Sequence, residues 1–286
     1  MIGICYTLHT EPEKLFEKET MNEITNSDIF VEEVSVYLSP EERREQLEIR
    51  REVSLGKIHL DQLVLDGRFL DFARAMDRIL FNSKKSWLLE ECPVTQEEKK
   101  RSRDHYLKAW EEFYQSNIKE CLNYAYKAAE LAAEQLLKRD EHFADQLISI
   151  QERNPEKNIF TVRGAIHTPL LHSLVKKGIK PKVIFHHKPF VYDEWGEAVR
   201  RFVFNKRTEE LTLLKSFVTG LVGEYYELRY CPSYDSMLKA KKITEKLTFR
   251  EIESLSDHIY RKWWKKRDKL GMNVLYLYVA KYFGIK

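Results

Sequence analysis

The sequence predicts an α/β protein, with some α+β segregation. Its architecture is a small, central, mostly parallel sheet flanked by many helices, with a large helical insert and a helical C-terminal third. Three observations lead there. Residues 158–186 pass through an apolar strand, a turn, a short helix and a second strand, a βαβ-like unit that favours parallel pairing. The chain opens on another short run of apolar, β-branched and aromatic residues. Between these two ends lies a long stretch of helical periodicity, in a chain with only 10 glycines and 8 prolines among 286 residues. That is about half the usual share, which argues against a loop-rich all-β fold.

The elements follow in order. Residues 2–9, Ile-Gly-Ile-Cys-Tyr-Thr-Leu-His, form a buried strand. Thr10-Glu11-Pro12-Glu13 starts a helix running to about residue 22. Residues 27–34 form a second strand that turns abruptly acidic at Glu32 and Glu33. Ser39-Pro40-Glu41-Glu42 combines a Ser cap, a proline at the first helical position and a glutamate at the third, a strong helix start. From there to about residue 152 the pattern is helical, in two or more helices, with a second capping box at Thr95-Gln96-Glu97-Glu98. Ala125, Ala129, Ala132, Leu136, Phe143, Leu147 and Ile150 fall on one apolar stripe. Residues 158–163 are a strand, Thr168-Pro169 opens a short helix that Gly178 stops, and residues 182–186 are the next strand. Helices return from about residue 194, with starts at Thr208 and Thr248 and a break at Cys231-Pro232-Ser233. The expected organisation is a core of residues 1–190, including the insert of about 40–152, and a helical extension over 191–286.

Composition excludes several classes. The chain is 43% hydrophobic and 33% charged, too apolar for disorder. Lysine and arginine total 48 against 45 acids, a near balance that argues against nucleic acid as a general partner. No apolar run approaches the ~18–20 residues of a membrane span, so no membrane partner is expected. No basic-apolar-small leader opens the chain. The four cysteines are far apart and form no CxxC pair, which points to buried free thiols in a reducing, cytoplasmic setting. Phosphate-loop, dinucleotide, zincin, serine-hydrolase and kinase motifs are absent.

Chemistry-bearing residues cluster at strand ends, where ligands bind in open α/β sheets. His9 ends the first strand. Glu32 and Glu33 end the second, and alternation sends only one of them to a given face. His167 follows Gly164-Ala165-Ile166, where the glycine permits close approach and the Thr168-Pro169 start brings a helix N-terminus near. Arg139 and Asp140 interrupt the apolar stripe, so at least one points inward and needs a partner. The plain alternative is a structural ion pair. His142 lies one step past that face. Asp66-Gly67-Arg68 is a turn whose charges join the site only if it folds over the strand ends. His186-His187 is a lone pair whose side chains diverge. Residues 260–269, Tyr-Arg-Lys-Trp-Trp-Lys-Lys-Arg-Asp-Lys, interleave cations and aromatics. They read chiefly as a packed helix with a solvated face, with phosphate contact as the lesser reading.

Tyr6-Thr7-Leu8-His9, Asp28-Ile29-Phe30-Val31-Glu32-Glu33, Arg139-Asp140-Glu141-His142 and Gly164-Ala165-Ile166-His167-Thr168-Pro169, in this order, resemble the TraB/TIKI-like group of the erythromycin-esterase/ChaN-like superfamily. The resemblance covers about residues 1–187, at four short patches. Tyr6 departs from it, standing where the pattern has glycine. The resemblance implies a sheet flanked by helices with both histidines and an acid meeting at one cleft. It also implies metal-dependent hydrolysis of an amide or ester bond, with a peptide-like or small-molecule substrate and manganese or cobalt as the ion, while zinc suits the same residue types. His9 and His167 would be ligands, Glu32 or Glu33 and Arg139 would be catalytic, and Tyr6, Asp140, His142, Gly164, Asp66 and Arg68 would support them. The alternative is a non-catalytic ligand-binding or regulatory protein of the same fold, with a nucleic-acid-contacting C-terminal helix as a third reading. A homo-oligomer is compatible with either.

Overall fold

The structure, a computed structural model, describes residues 1–7, 12–34, 37–59, 70–186, 194–206, 208–229 and 234–285. Strand β1 (Ile2–Thr7) leads through a 3-10 turn (Pro12–Phe16) and helix α1 (Lys18–Asn26) to β2 (Ile29–Glu32). Helices α2 (Pro40–Ser54) and α3 (Leu70–Leu80) precede β3 (Ser86–Leu89). Helices α4 (Gln96–Tyr114) and α5 (Ile118–Arg153) lead to β4 (Ile159–Gly164), a 3-10 turn (Ala165–His167), α6 (Thr168–Lys176) and β5 (Lys182–Phe185). The remainder is helical: α7 (Glu194–Val203), α8 (Glu210–Arg229), α9 (Tyr234–Thr244), α10 (Phe249–Lys262), a 3-10 turn (Trp264–Lys266) and α11 (Met272–Tyr282).

The five strands form one sheet in the order β3-β2-β4-β1-β5, every pair parallel. The α/β class and the parallel sheet expected from sequence are therefore present. β1 is buried along its whole length, which is why it reads as a continuous apolar run rather than an alternating one. The helical block expected over residues 40–152 is interrupted by β3. Its four residues are too short to break a helical period by eye, and it is an edge strand with Ser86 exposed. A second break separates α4 from α5 at Ser116, whose φ of 64° takes the chain out of helix. Helix α1 runs past the expected residue 22 to Asn26. Gly178 has φ +83° just past α6, the left-handed position the helix stop requires.

Strand alternation divides the apolar residues between two faces. Cys5, Phe30, Trp87, Phe160, Val162 and Ile184 pack with Leu15, Ile24, Val53, Met76 and Leu80 of the α1–α3 side. Ile4, Tyr6, Val31 and Ile159 pack with Phe143, Leu147 and Ile150 of α5 and with Leu170 and Leu174 of α6. Neighbouring strands β2 and β4 continue in opposite directions along the sheet, β2 to β3 on one side and β4 to β5 on the other. Such a divergence opens a crevice at the strands' carboxyl ends.

By internal contacts the chain divides into two units. One comprises Met1–Gln96 with Leu136–Val191, and the other Glu97–Gln135 with Tyr192–Lys286. The first holds the sheet. The second is helical, and its core stacks Phe113 on Phe217 with ring centroids 5.3 Å apart and sets Trp110 edge-on to the same ring at 4.7 Å. The boundary falls inside α5.

Candidate functional site

At the carboxyl ends of β2, β3 and β4 the sheet's apolar face gives way to charge. Alternation fixes which side chains arrive. Val31 lies on the α5 side, so Phe30 and Glu32 face α2 while Glu33 faces α5. By the same rule Arg163 of β4 faces α5, its guanidinium 4.4 Å from the centre of the Phe143 ring. One turn before Phe143 on that helix stand Arg139 and Asp140, both buried.

Glu90, just past β3, is the anchor. Its carboxylate is wholly buried and accepts from Arg139 Nε at 2.8 Å and Nη2 at 2.7 Å. It also accepts from Arg163 Nη1 at 2.6 Å and from the Val34 backbone N–H at 3.0 Å. Arg43 of α2 donates to the carbonyls of Leu89 and Glu90 and so pins this strand end. Burial pushes the Glu90 carboxyl up, but Arg163 and Arg139 outweigh it and hold the group below the ordinary glutamate range.

Asp140 has three partners, the first of them Arg163 Nη2 at 3.4 Å. Its Oδ2 accepts the Leu170 N–H at 3.2 Å, filling one of the open donors of the α6 N-terminus. Its Oδ1 lies 2.6 Å from His167 Nδ1, which fixes the ring and turns Nε2 outward. Around Nε2 stand Arg139 Nη1 at 3.3 Å and Glu33 Oε1 at 3.2 Å. Glu33 is held by the Gly164 N–H on Oε2 at 2.9 Å and by Arg139 Nη2 on Oε1 at 3.1 Å. Gly164 has φ −59° and needs no left-handed freedom, so its part is the backbone N–H. The side chains of Glu33, Arg139 and His167 are 14%, 10% and 6% exposed, whereas those of Glu90, Arg163 and Asp140 are at zero, so solvent meets the first three.

Charge decides what the cluster needs. Glu33, Glu90 and Asp140 bring three negative charges, and Arg139 and Arg163 two positive ones. With a neutral imidazole the cluster is left one charge negative. A lone pair on Nε2 would face a carboxylate oxygen 3.2 Å away with Arg139 Nη1 3.3 Å off, a setting that favours a further positive particle. A proton supplies it: burial lowers the His167 pKa, but Asp140 and Glu33 outweigh that and the net direction is up. A divalent cation supplies it too, because an imidazole with Nδ1 fixed by a carboxylate is the usual form of a metal-binding histidine. His167 Nε2 is the donor that such an ion would take. Among the described residues no three histidine, cysteine or acidic side chains converge as a complete metal set.

Set against the sequence, the structure brings together Glu33, Arg139, Asp140, Gly164 and His167. It takes Glu32 elsewhere: Arg50 grips both its oxygens at 2.9 Å on the α2 side of the sheet, which removes the ambiguity between the two glutamates. His142 is half-exposed and lies 3.7 Å from Glu91, away from the cluster because its helical position has rotated off the inward face. Tyr6 is a core residue, 1% exposed and stacked on Phe185 at 5.1 Å. His9, Asp66 and Arg68 lie outside the described residues. Sequence reasoning missed Glu90 and Arg163. The first had a signal, since Ser86-Trp87-Leu88-Leu89-Glu90-Glu91 repeats the apolar-then-acidic pattern of the β2 end.

On the opposite face, His186 Nε2 lies 2.7 Å from Thr20 Oγ1 and 3.3 Å from Cys5 Sγ. Burial pushes the Cys5 thiol up to about 12, which makes it a poor nucleophile.

In comparisons with known proteins, no family model, no curated sequence and no solved structure matches the chain.

Proposed function

We propose that the protein is a metal-dependent hydrolase of the TraB/TIKI-like kind, acting on an amide or ester bond of a peptide-like or small-molecule substrate. One observation carries the reading. At the β2/β4 crevice, His167 is anchored on Asp140 through Nδ1 and turns Nε2 toward Glu33 Oε1 at 3.2 Å, in a cluster one charge short of neutrality.

Hydrolysis needs a water to lose a proton and a developing oxyanion to find a donor. Glu33 is the most exposed acid of the cluster and takes the water's proton. Arg139 commits three of its five donor hydrogens to Glu90 and Glu33, and its Nη1, 3.3 Å from His167 Nε2, is the group left to donate to the oxyanion. Asp140 orients His167. Glu90 and Arg163 hold Arg139 in place. His167 Nε2 would hold the divalent ion, with His9 as the second donor expected from sequence. The ion's contribution when bound is to polarise the scissile carbonyl and acidify water.

A second reading, a ligand-binding or regulatory protein without turnover, draws on how fully Glu90, Arg163 and Asp140 are consumed by one another. One experiment separates the two. Purified wild type and His167→Ala are melted with and without manganese, cobalt and zinc, and assayed on chromogenic esters and short peptides. The hydrolase reading expects a metal-induced rise in Tm in the wild type alone, together with turnover. Absence of both contradicts it, and a His167-dependent shift without turnover favours the binder.

A further inference from the structure

We infer that the basic turn between α10 and α11 binds single-stranded nucleic acid. The observation is a local concentration of cations without acidic partners. Several lysines elsewhere are matched to acids: Lys14 with Glu17, Lys57 with Glu52, Lys108 with Glu111, Lys127 with Glu130, Lys177 with Asp145 and Lys182 with Glu23. Around the Trp264–Lys266 turn the cations crowd together instead. Arg261 pairs with Asp257. Lys262, Lys265, Lys266, Arg267 and Lys269 are all exposed, and among the described residues none of them has an ion pair. Asp268 is the single acid in residues 260–269. Five adjacent unpaired cations repel one another, an arrangement that a polyanion relieves.

The aromatics decide which polyanion. Trp263 is buried, its Nε1 donating to the Gly271 carbonyl, and it fixes the turn. Trp264 is half-buried and stacks on Tyr114 at 5.8 Å, while the Arg267 guanidinium lies over the ring at 4.0 Å. Lys265 sits over Tyr260 at 4.8 Å. Arg267 also donates to the Trp264 carbonyl, which holds its guanidinium against the ring. A guanidinium plane backed by two stacked rings is a platform for an unpaired base, and its neighbours take the phosphates. A duplex hides its base faces and a lipid headgroup has none, so the platform selects the single strand.

The test uses the full chain and labelled single strands of RNA and DNA, the matching duplex, and phosphatidylserine vesicles. The variant is Lys265→Glu/Lys266→Glu/Arg267→Ala, three exposed residues, with circular dichroism confirming its fold. Four phosphate contacts predict a slope of log affinity against log salt of about −2.8 for single strands, falling to about −1.4 in the variant, which keeps two of them. At equal salt the variant loses at least about tenfold in affinity, and binding quenches the wild type's tryptophan fluorescence. Unchanged affinity in the folded variant, tighter binding to duplex, or binding to vesicles but not to single strands overturns the inference.

Discussion

Glu90 shows what a single buried carboxylate can organise. It is fully buried, and two guanidiniums and a backbone N–H satisfy it. Removing one partner of such an arrangement leaves uncompensated buried charge, here two arginines. Glu90→Ala is therefore expected to cost about 3–5 kcal/mol in urea unfolding. A loss below about 1 kcal/mol, the scale of an exposed pair, would show that the cluster is solvated. Glu90 also sets an acid limit. Its carboxyl is held below the ordinary range, so its stabilisation is present above that range and disappears as pH falls through the lowered value. Stability curves of the wild type and Glu90→Gln should diverge near neutral pH and converge in acid. Parallel curves would contradict this. At this scale the sequence was informative about Arg139, Asp140 and His167, because an inward charge on an apolar stripe and a histidine after a strand-end glycine are local patterns. It was silent on Arg163, whose partners come from β3 and α5, far away in the chain.

Among the elements, helix starts were the most legible feature because capping is local chemistry. Ser39 and Glu42 form the reciprocal box at the start of α2, and Thr248 and Glu251 form another at α10. Ser39→Ala is expected to destabilise the sheet-bearing unit by about 1 kcal/mol, read as a lower urea midpoint at unchanged slope. No change would mean the box contributes nothing to folding. Strand β3 was illegible because an edge strand of four residues owes its form to β2, its neighbour, rather than to its own pattern. The same holds for α4 and α5, which one unbroken periodicity merges until Ser116 turns the chain.

For the whole molecule, the sheet order explains why the cluster lies where it does. The β2 and β4 connections diverge, and the charged ends of β2, β3 and β4 meet at that end of the sheet. That convergence joins residues more than a hundred positions apart, such as Glu33 and Gly164, so no local pattern could announce it. No described helix is long and apolar enough to cross a membrane. The most direct test of the central claim is hydrolysis of an ester and peptide panel by protein supplied with manganese, cobalt or zinc, comparing wild type with Glu33→Gln. The account predicts metal-dependent turnover in the wild type that falls by about 10²–10⁴ in the variant. Equal rates in the two proteins, or none in the wild type with any of the three ions, would contradict it.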